Sequence, residues 1–306
     1  MTEPHVAQPS REPANVDRAN GAAPGLSPAR RKLRIFLRNR AAVPGAILVL
    51  ILVVVAVAAP WLAPHDPVRQ SAANRLKPPG TENYWLGTDR FGRDTLSRVI
   101  WGARVSLQVG VASVLLGMAI GVPVGIIAGY KGGRTDQILM RAVDVALSFP
   151  TLVLGLIIVA LLGSGIWKMI LAIALVNAPQ FARVARGPTI ALRDAEFVQA
   201  ARALGNSDLR IMFRHVLPNV LPDIVTVSSL WVASAIRTEA NLSFLGLGVA
   251  PPTPSWGNMV REGIDFLGRA PWLAIVPAAA IFITILAFNM LGDGLRDIAD
   301  PRTRGE

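Results

Sequence analysis

Long runs without a charged side chain constrain this sequence more than any other feature. Residues 41–64, 105–130 and 271–291 contain no Asp, Glu, Lys or Arg. About 20 apolar residues in a helix are enough to cross the hydrocarbon core of a bilayer. Because 52% of all residues are hydrophobic and the mean hydropathy is +0.45, the sequence indicates an all-α, polytopic membrane protein.

Six apolar segments are predicted to cross the membrane. The first covers 41–64, and the others cover 105–130, 137–162, 166–182, 218–245 and 271–291. The predicted order along the chain is a disordered tail (1–26), an amphipathic interfacial helix (27–40), the first transmembrane helix (41–64), a first outer segment (65–104), a core with five further transmembrane helices (105–293) and a charged tail (294–306). Within the core, a polar loop covers 187–218 and a second outer segment covers 246–270.

Glycine spacing and charge placement add detail to two of the predicted spans. Small residues every four positions in the second span should let another helix approach closely, so we expect this span to lie inside the bundle. In the third span, Asp144 follows Arg141 by three residues, and a local ion pair is the simplest expectation, with a gating role as the alternative. The glycines of the second span are Gly110, Gly117, Gly121, Gly125 and Gly129.

The basic residues predict the orientation. With the N-terminus inside, about two thirds of the 31 lysines and arginines fall in inner segments, as the positive-inside rule requires. Both termini and the polar loop are therefore expected on the cytoplasmic side of the membrane. Topology also explains the net charge of +11, so we expect no nucleic-acid partner.

Several classes of site are excluded by residue content. The chain has no cysteine, and its three histidines, His5, His65 and His215, lie far apart, so we expect no metal site. The spans carry no nucleophile and base pair of the kind a membrane enzyme would need. No lysine lies in a Gly-x-x-x-x-Gly-Lys-Ser/Thr phosphate loop, so energy from ATP would have to come from another protein.

The polar loop reads as two short helices. Asp194 can cap a helix over 195–204, whose apolar face would comprise Phe197, Ala200, Ala201 and Leu204. Gly205 is expected to end it, and Ser207 can cap a second helix over 208–216 that stops before Pro218. Physical reasoning alone leaves two alternatives equally open, a docking surface for another protein or a linker packed on its own bundle.

Sequence motifs decide between these alternatives. Gln199-Ala200-Ala201, Gly205 and Leu217-Pro218 resemble the EAA loop of binding-protein-dependent ABC importer permeases, although Gln199 stands where the family often has Glu, and His215 where Ile is usual. Four further stretches look like the C-type permease of dipeptide, oligopeptide and nickel importers, namely Trp85 to Leu107, Asn241 to Gly248, Pro251 to Asn258 and Leu291 to Asp297. The resemblance covers all but about the first 25 residues.

This resemblance implies the type I ABC importer permease fold, with cytoplasmic coupling helices and extracytoplasmic insertions. It also implies that the chain lies in the inner or plasma membrane of a bacterial cell. The implied partners are a similar B-type permease, two ATP-binding subunits, an extracytoplasmic substrate-binding protein and membrane lipid. ATP and Mg would be held by the ATP-binding subunits, with no cofactor and no enzymatic activity in this subunit. The residues expected to couple this subunit to the ATP-binding subunits are Glu196, Gln199, Ala200, Ala201, Gly205, Arg210, Leu217 and Pro218.

The expected transport substrates are dipeptides or oligopeptides, with nickel chelates and haem-like ligands as alternatives. A membrane scaffold or sensor that transports nothing is the competing class of function. Arg237 and Glu239 lie within the fifth span and are candidates for the translocation pathway. The alternative for Glu239 is a bond to the partner permease or to the backbone of the second outer segment.

The two outer segments are candidates for contact with the binding protein. The prolines of the second one, with Trp256, should form a rigid, non-helical structure at the membrane surface. A simple re-entrant anchor is the alternative. The residues proposed for contact are Asp89, Arg93, Asp94, Pro252 and Trp256.

Overall fold

The computed structural model describes residue 37 and residues 39–299, with side chains described as far as residue 297. The predicted tail 1–26, nearly all of the interfacial helix 27–40 and residues 300–306 lie outside the described residues. Within the described part the chain is helical and forms no strand beyond two isolated bridges, as the all-α prediction requires.

Eleven helices and one π-helical segment follow one another in the described part of the chain. In order they are α1 (Ala42–Val57), α2 (Ala59–Leu62), α3 (Thr95–Lys131), α4 (Gly133–Ser148), α5 (Thr151–Leu162), α6 (Ile166–Arg193), α7 (Glu196–Ala203), α8 (Asp208–Ile211), the π segment (Met212–Val216), α9 (Leu217–Phe244), α10 (Trp256–Ile264) and α11 (Trp272–Ala299). A 3₁₀ turn covers Ala72–Asn74 in the first outer segment.

Six helical units correspond to the six predicted spans. Four of them, α3, α6, α8 to α9 and α11, are each long and apolar enough to cross a membrane alone. The pair α4 and α5 would make a fifth span, broken by a 94° bend. The sixth unit, α1, has 16 residues and a length of about 24 Å, so it falls short of a full hydrocarbon core by itself.

The centre of the bundle is the packing of α3 against α6. Gly117, Gly121 and Gly125 of α3 face the backbone of α6, and a Cβ on Gly121 would collide with the carbonyl oxygen of Ala178. Gly110 lies instead against Ile236 of α9. The prediction that these glycines allow close helix approach is confirmed, and it places α3 inside the bundle.

The third predicted span is not a straight helix. Phe149 adopts an extended conformation (φ −80°, ψ 137°) and α5 starts directly after Pro150. A proline lacks the N–H that would continue α4 and disfavours the helical conformation of the residue before it. The chain therefore turns by 94° at this point, and α4 packs across α3 and α6 while α5 runs along α6.

Helices also extend beyond the predicted apolar limits. α3 begins at Thr95, well before residue 105, because the Asp94 side chain accepts a hydrogen bond from the Ser97 N–H (3.0 Å) and caps it. α6 continues past residue 182 to Arg193. The second outer segment was expected to lack regular helix, but only its first part does, since α10 begins at Trp256 after the Ser255 cap.

The two ends of the described chain lie at the same end of the bundle. The Asn39 Nδ2 donates to the Asp297 Oδ2 (2.5 Å), and Gly45 of α1 packs on the backbone of α11 at Leu291. α9 leads from the polar loop to the second outer segment, and α11 leads back from that segment. The polar loop and both described ends therefore share one end of the bundle, which we call the loop end.

Candidate functional site

The first helix of the polar loop, α7, is terminated by Gly205. Gly205 has φ +79°, its N–H donates to the Arg202 carbonyl (3.0 Å), and the Asn206 N–H donates to the Ala201 carbonyl (3.2 Å). This is the Schellman pattern of a helix end, which glycine adopts without steric cost. The predicted helix stop at Gly205 is correct.

The predicted caps of the two loop helices are not both realised. α7 starts after Ala195 with no side-chain cap, because the Asp194 carboxylate faces Arg193 (3.2 Å) instead. Ser207 is the N-cap residue of α8, as expected, but its hydroxyl accepts no capping hydrogen bond. Gln199 helps to fix the start of α7, since its Nε2 donates to the Asp194 carbonyl (3.0 Å).

One face of α7 is buried and the other is open. Val198 (0% exposed) and Ala201 (6%) pack inward, whereas Phe197 (44%) and Leu204 (84%) point outward together with Ala200. The predicted apolar face was therefore too wide, because Ala201 belongs to the inward side. Phe197 and Leu204 are therefore the large apolar side chains of α7 that the subunit itself leaves uncovered.

The second loop helix does not stop before Pro218. α8, the π segment and α9 form one continuous helix from Asp208 to Phe244. The correction has a physical reason: Pro218 has no N–H to donate, and a wider π turn just before it accommodates the missing bond. As a result the polar loop is rigidly continuous with the fifth predicted span.

The remaining residues predicted for coupling lie along this continuous helix and at the start of α7. Glu196, Arg210 and Pro218 are exposed, and Leu217 is half-buried. Leu209 (63%) and Phe213 (62%) are exposed as well, while Ile211 and Val216 are fully buried. The open apolar surface of the loop thus comprises Phe197, Ala200, Leu204, Leu209 and Phe213, which we call the loop surface.

A tyrosine at the end of α3 fastens both loop helices to the bundle. The Tyr130 hydroxyl donates to Asp208 Oδ1 of α8 (3.1 Å) and accepts from Arg202 Nη2 of α7 (3.1 Å). The hydrogen bond to Tyr130 also raises the pKa of Arg202 above its usual value. Sequence reasoning missed this contact, although a lone tyrosine where the second span meets the basic turn was a visible signal.

Ion pairs fix the bent helix α4 to α6 near the same end. Asp136 receives two hydrogen bonds from Arg186, both 2.6 Å, and Asp144 pairs with Arg183 at 2.6 Å. The expected Asp144 pair with Arg141 is therefore wrong. The i, i+3 rule considers only one helix, and α6 extends far enough to offer Arg183 as the closer partner.

Glu239 does not fit the pathway position predicted for it. Its side chain is 0% exposed and accepts hydrogen bonds from Ser106 Oγ of α3 (3.1 Å) and Ser243 Oγ of α9 (2.7 Å). A buried carboxylate with two hydroxyl donors joins helices within this subunit. Arg237 is exposed and donates to Ser234 Oγ (3.1 Å), so these two charges face different surroundings, as their spacing predicted.

Most of the residues predicted to contact a binding protein are interior to the outer segments. Asp89 (7%), Arg93 (3%) and Asp94 (3%) are buried, and so is Trp256 (1%), whose Nε1 donates to the Val99 carbonyl (2.9 Å). They are poorly placed for direct contact because their polar groups already bond within the subunit. Of the five, only Pro252 is exposed.

A buried ionic network joins the two outer segments. Arg93 pairs with Asp89 (2.5 Å) and with Glu262 of α10 (2.7 Å), and Arg98 lies 3.5 Å from each of the same carboxylates. Among the described residues, no group of three or more His, Asp or Glu side chains is arranged to hold a metal ion. The network therefore holds the first and second outer segments together through ion pairs.

Comparison with known families assigns most of the chain. The model of the family described as "Binding-protein-dependent transport system inner membrane component" matches residues 121–305, more than half of the sequence. A second model, "N-terminal TM domain of oligopeptide transport permease C", matches residues 27–79. Together they cover the polar loop, the second outer segment and the first helix.

Individual relatives agree with this assignment. The chain is 43% identical over 278 residues to the "Glutathione transport system permease protein GsiD" of Pectobacterium atrosepticum, covering 91% of this chain and 92% of that protein. The protein of the same name from Escherichia coli is 44% identical over 272 residues, covering 89% and 90%. Among solved structures, the inward-facing MetNI methionine ABC transporter shares the fold at a TM-score of 0.54 and 18% identity, over 66% of this chain and 96% of that one.

The long apolar helices, the polar loop and these matches lead to one assignment. A permease subunit of an ABC transporter crosses the membrane several times and is not itself an enzyme. The chain belongs to the binding-protein-dependent inner-membrane permeases of ABC importers, within the oligopeptide permease C group.

Proposed function

We propose that this permease imports short peptides, dipeptides, oligopeptides or a tripeptide-like thiol among them, using ATP hydrolysed by two partner subunits. The relatives are named for glutathione transport, which supports a peptide-type substrate. The loop surface is the observation that carries the transport mechanism, because it is an open apolar surface on helices that are rigidly joined to the spans.

In this mechanism the ATP-binding subunits dock on the loop surface. ATP and Mg stay in those subunits, and closure of their dimer displaces α7 and α8. α6 enters the loop and the helix containing α9 leaves it without a break, so displacement of the loop moves two spans as rigid bodies. Tyr130 adds α3 to the moving unit. Such coupling between two sites through elements with two arrangements is what alternating access requires.

The rest of the assembly follows from the same proposal. A B-type permease completes the pathway as the second half of a heterodimer, and lipid surrounds both. The loop end, with both termini, faces the cytoplasm, and the two outer segments face a substrate-binding protein on the other side. The exposed charge of Arg237 is the remaining candidate for the pathway within the fifth span.

The docking role can be tested with a substitution at the most exposed residue of the loop surface. Leu204 is 84% exposed, so Leu204→Asp should leave the subunit folded but place an unpaired charge in the docked interface. We expect the complex reconstituted with its binding protein to lose stimulation of its ATPase by loaded binding protein. The conservative Leu204→Met should retain it. Equal stimulation in both variants would refute docking at this surface.

Substrate class is tested by uptake into vesicles holding the complete complex. Radiolabelled glutathione and a set of di- to pentapeptides should accumulate with ATP inside and loaded binding protein outside. Accumulation of a nickel chelate or haem in place of peptides would move the substrate to the alternative classes. The absence of any flux with a correctly assembled complex would favour a scaffold or sensor.

A further inference from the structure

A polar recess lies between the two outer segments, beside the ionic network. Its volume is about 360 Å³, and the charged side chains on its walls are Arg90, Arg261, Glu262 and Asp265. The wall is completed by backbone from the start of the second outer segment and by Ser164 of the turn between α5 and α6. A recess of this volume accepts one end of a peptide, and it is at the lower limit of typical ligand sites.

Two arginines of the recess have no partner in the described part of the chain. Arg90 Nε is buried without a hydrogen bond, and the Arg90 Cζ lies 4.6 Å from the centroid of the Phe91 ring. The Arg261 guanidinium has no hydrogen bond or ion pair among the described residues. A buried donor left unsatisfied is costly, so it marks a position where a ligand acceptor would be favourable.

The acidic residues of the recess do not neutralise these arginines. Glu262 already pairs with Arg93 (2.7 Å) and Arg98 (3.5 Å) on the side of the ionic network. Asp265 forms no ion pair within the described residues. Two free guanidinium groups therefore face one free carboxylate, and the recess has an excess of positive charge available to a ligand.

The protein backbone is shaped to hold Arg261 in this place. Gly246 has φ +89°, and a Cβ there would collide with the Arg261 guanidinium. Asn258 Nδ2 donates to the Val249 carbonyl (2.6 Å), which fixes the opposite wall. Because the ionic network anchors α10, Arg261 is presented on a rigid element.

We propose that this recess binds the carboxylate of a short peptide, with Arg90 and Arg261 as its donors and Asp265 near the peptide's ammonium group. A guanidinium recognises a carboxylate through paired, charge-assisted hydrogen bonds, which matches two arginines without an ionic partner that line the same recess. The inference rests on the proposed import of peptides and adds to it a contact with substrate in the permease itself.

Arginine labelling with phenylglyoxal tests the recess directly. The complete complex in nanodiscs is labelled without binding protein, in the presence of triglycine, N-acetyltriglycine or triglycine amide, and modification is mapped by mass spectrometry. We expect the two peptides with a free carboxylate to slow labelling of Arg261 severalfold and the amide to have no effect. Arg269, exposed in the same segment and outside the recess, is the matched control.

Four results would overturn the proposal. The first is no protection of Arg261 by any peptide. The second is protection by the amide as strong as that by triglycine, and the third is equal protection at Arg269. The fourth comes from a parallel labelling with binding protein and no peptide: protection of Arg261 there would mean that the carboxylate comes from a side chain of that protein.

Peptide uptake provides a second test, which distinguishes failure of the recess proposal from failure of the proposed function. Arg261→Gln should reduce uptake of a free-acid peptide below saturation by about tenfold, the effect of one charge-assisted contact, with Arg269→Gln unchanged. Normal uptake by Arg261→Gln would overturn the recess proposal and leave peptide import standing. Failure of the wild-type complex to import peptides would count against the proposed function, whereas the labelling result is independent of import.

Discussion

At the loop end, the residues of the sequence motif include open ones, such as Ala200 and Gly205, beside exposed Leu204. At the other end, Asp89, Arg93 and Trp256 of equally recognisable motifs are buried. Under the proposed function the first set supplies a shape for another protein, whereas the second holds two outer segments together. A residue of a sequence motif can therefore either contact another protein or stabilise the fold of the subunit. Its burial in the folded subunit distinguishes these two roles.

The largest effect should come from breaking the ionic network. Arg98 is 2% exposed and shares two carboxylates with Arg93, so Arg98→Met leaves buried negative charge undercompensated. We expect the free energy of unfolding to fall by about 3–5 kcal/mol, measured by denaturant titration of the purified subunit in detergent. The same substitution at exposed Arg261 should change it by less than about 0.5 kcal/mol. Equal effects would contradict a constructional role for the network.

Glycines with positive φ give a matched comparison of the two ends. A Cβ on Gly92 (φ +73°) would collide with the Ser71 carbonyl, whereas a Cβ on Gly205 (φ +79°) would have nothing within 4 Å. Gly205→Ala should therefore cost only the backbone strain, about 1 kcal/mol, and Gly92→Ala about 2–3 kcal/mol. The measurement is the same denaturant titration. A larger loss for Gly205→Ala would show that the loop end is the more tightly packed one.

A small effect on stability, similar to that of Gly205→Ala, is expected at Tyr130. Tyr130→Phe removes one hydroxyl that serves Asp208 and Arg202, and should lower the free energy of unfolding by about 1 kcal/mol. Its effect on function should be larger than this, because the direct link from α3 to both loop helices would be lost. We expect peptide imported per ATP hydrolysed to fall while ATPase subunits stay bound. An unchanged ratio would remove α3 from the coupled unit.

Apolar runs and glycine spacing predicted much of the fold because they act over one helix and its nearest neighbour. The close approach of α3 at Gly121 is an example. The third span was predicted as one segment with Pro150 inside it, and the 94° bend there was missed because it depends on where α3 and α6 lie. Continuation of the helix past Pro218 was missed, since the π turn that permits it has no simple sequence pattern.

The site residues were harder to place because burial is a property of the whole bundle. Glu239 was predicted to line the pathway because an ionisable group in a span is costly, but its partners Ser106 and Ser243 become visible only when α3 and α9 are packed. The pairing of Asp144 with Arg183 was missed for the same reason, because the two residues lie on different helices. The shape of the loop at Gly205 was predictable because it depends on neighbouring residues alone.

The central claim is that the loop surface is covered by ATP-binding subunits in the cytoplasm. The chain has no cysteine, so Leu204→Cys gives a single reactive position, with Trp85→Cys (77% exposed) as its counterpart in the first outer segment. A membrane-impermeant maleimide is applied from either side, with and without the ATP-binding subunits. We predict that Leu204→Cys is labelled only from the cytoplasm and is protected when those subunits assemble, while Trp85→Cys is labelled only from outside and is unaffected. Labelling of Leu204→Cys that is equal with and without the subunits would contradict the account.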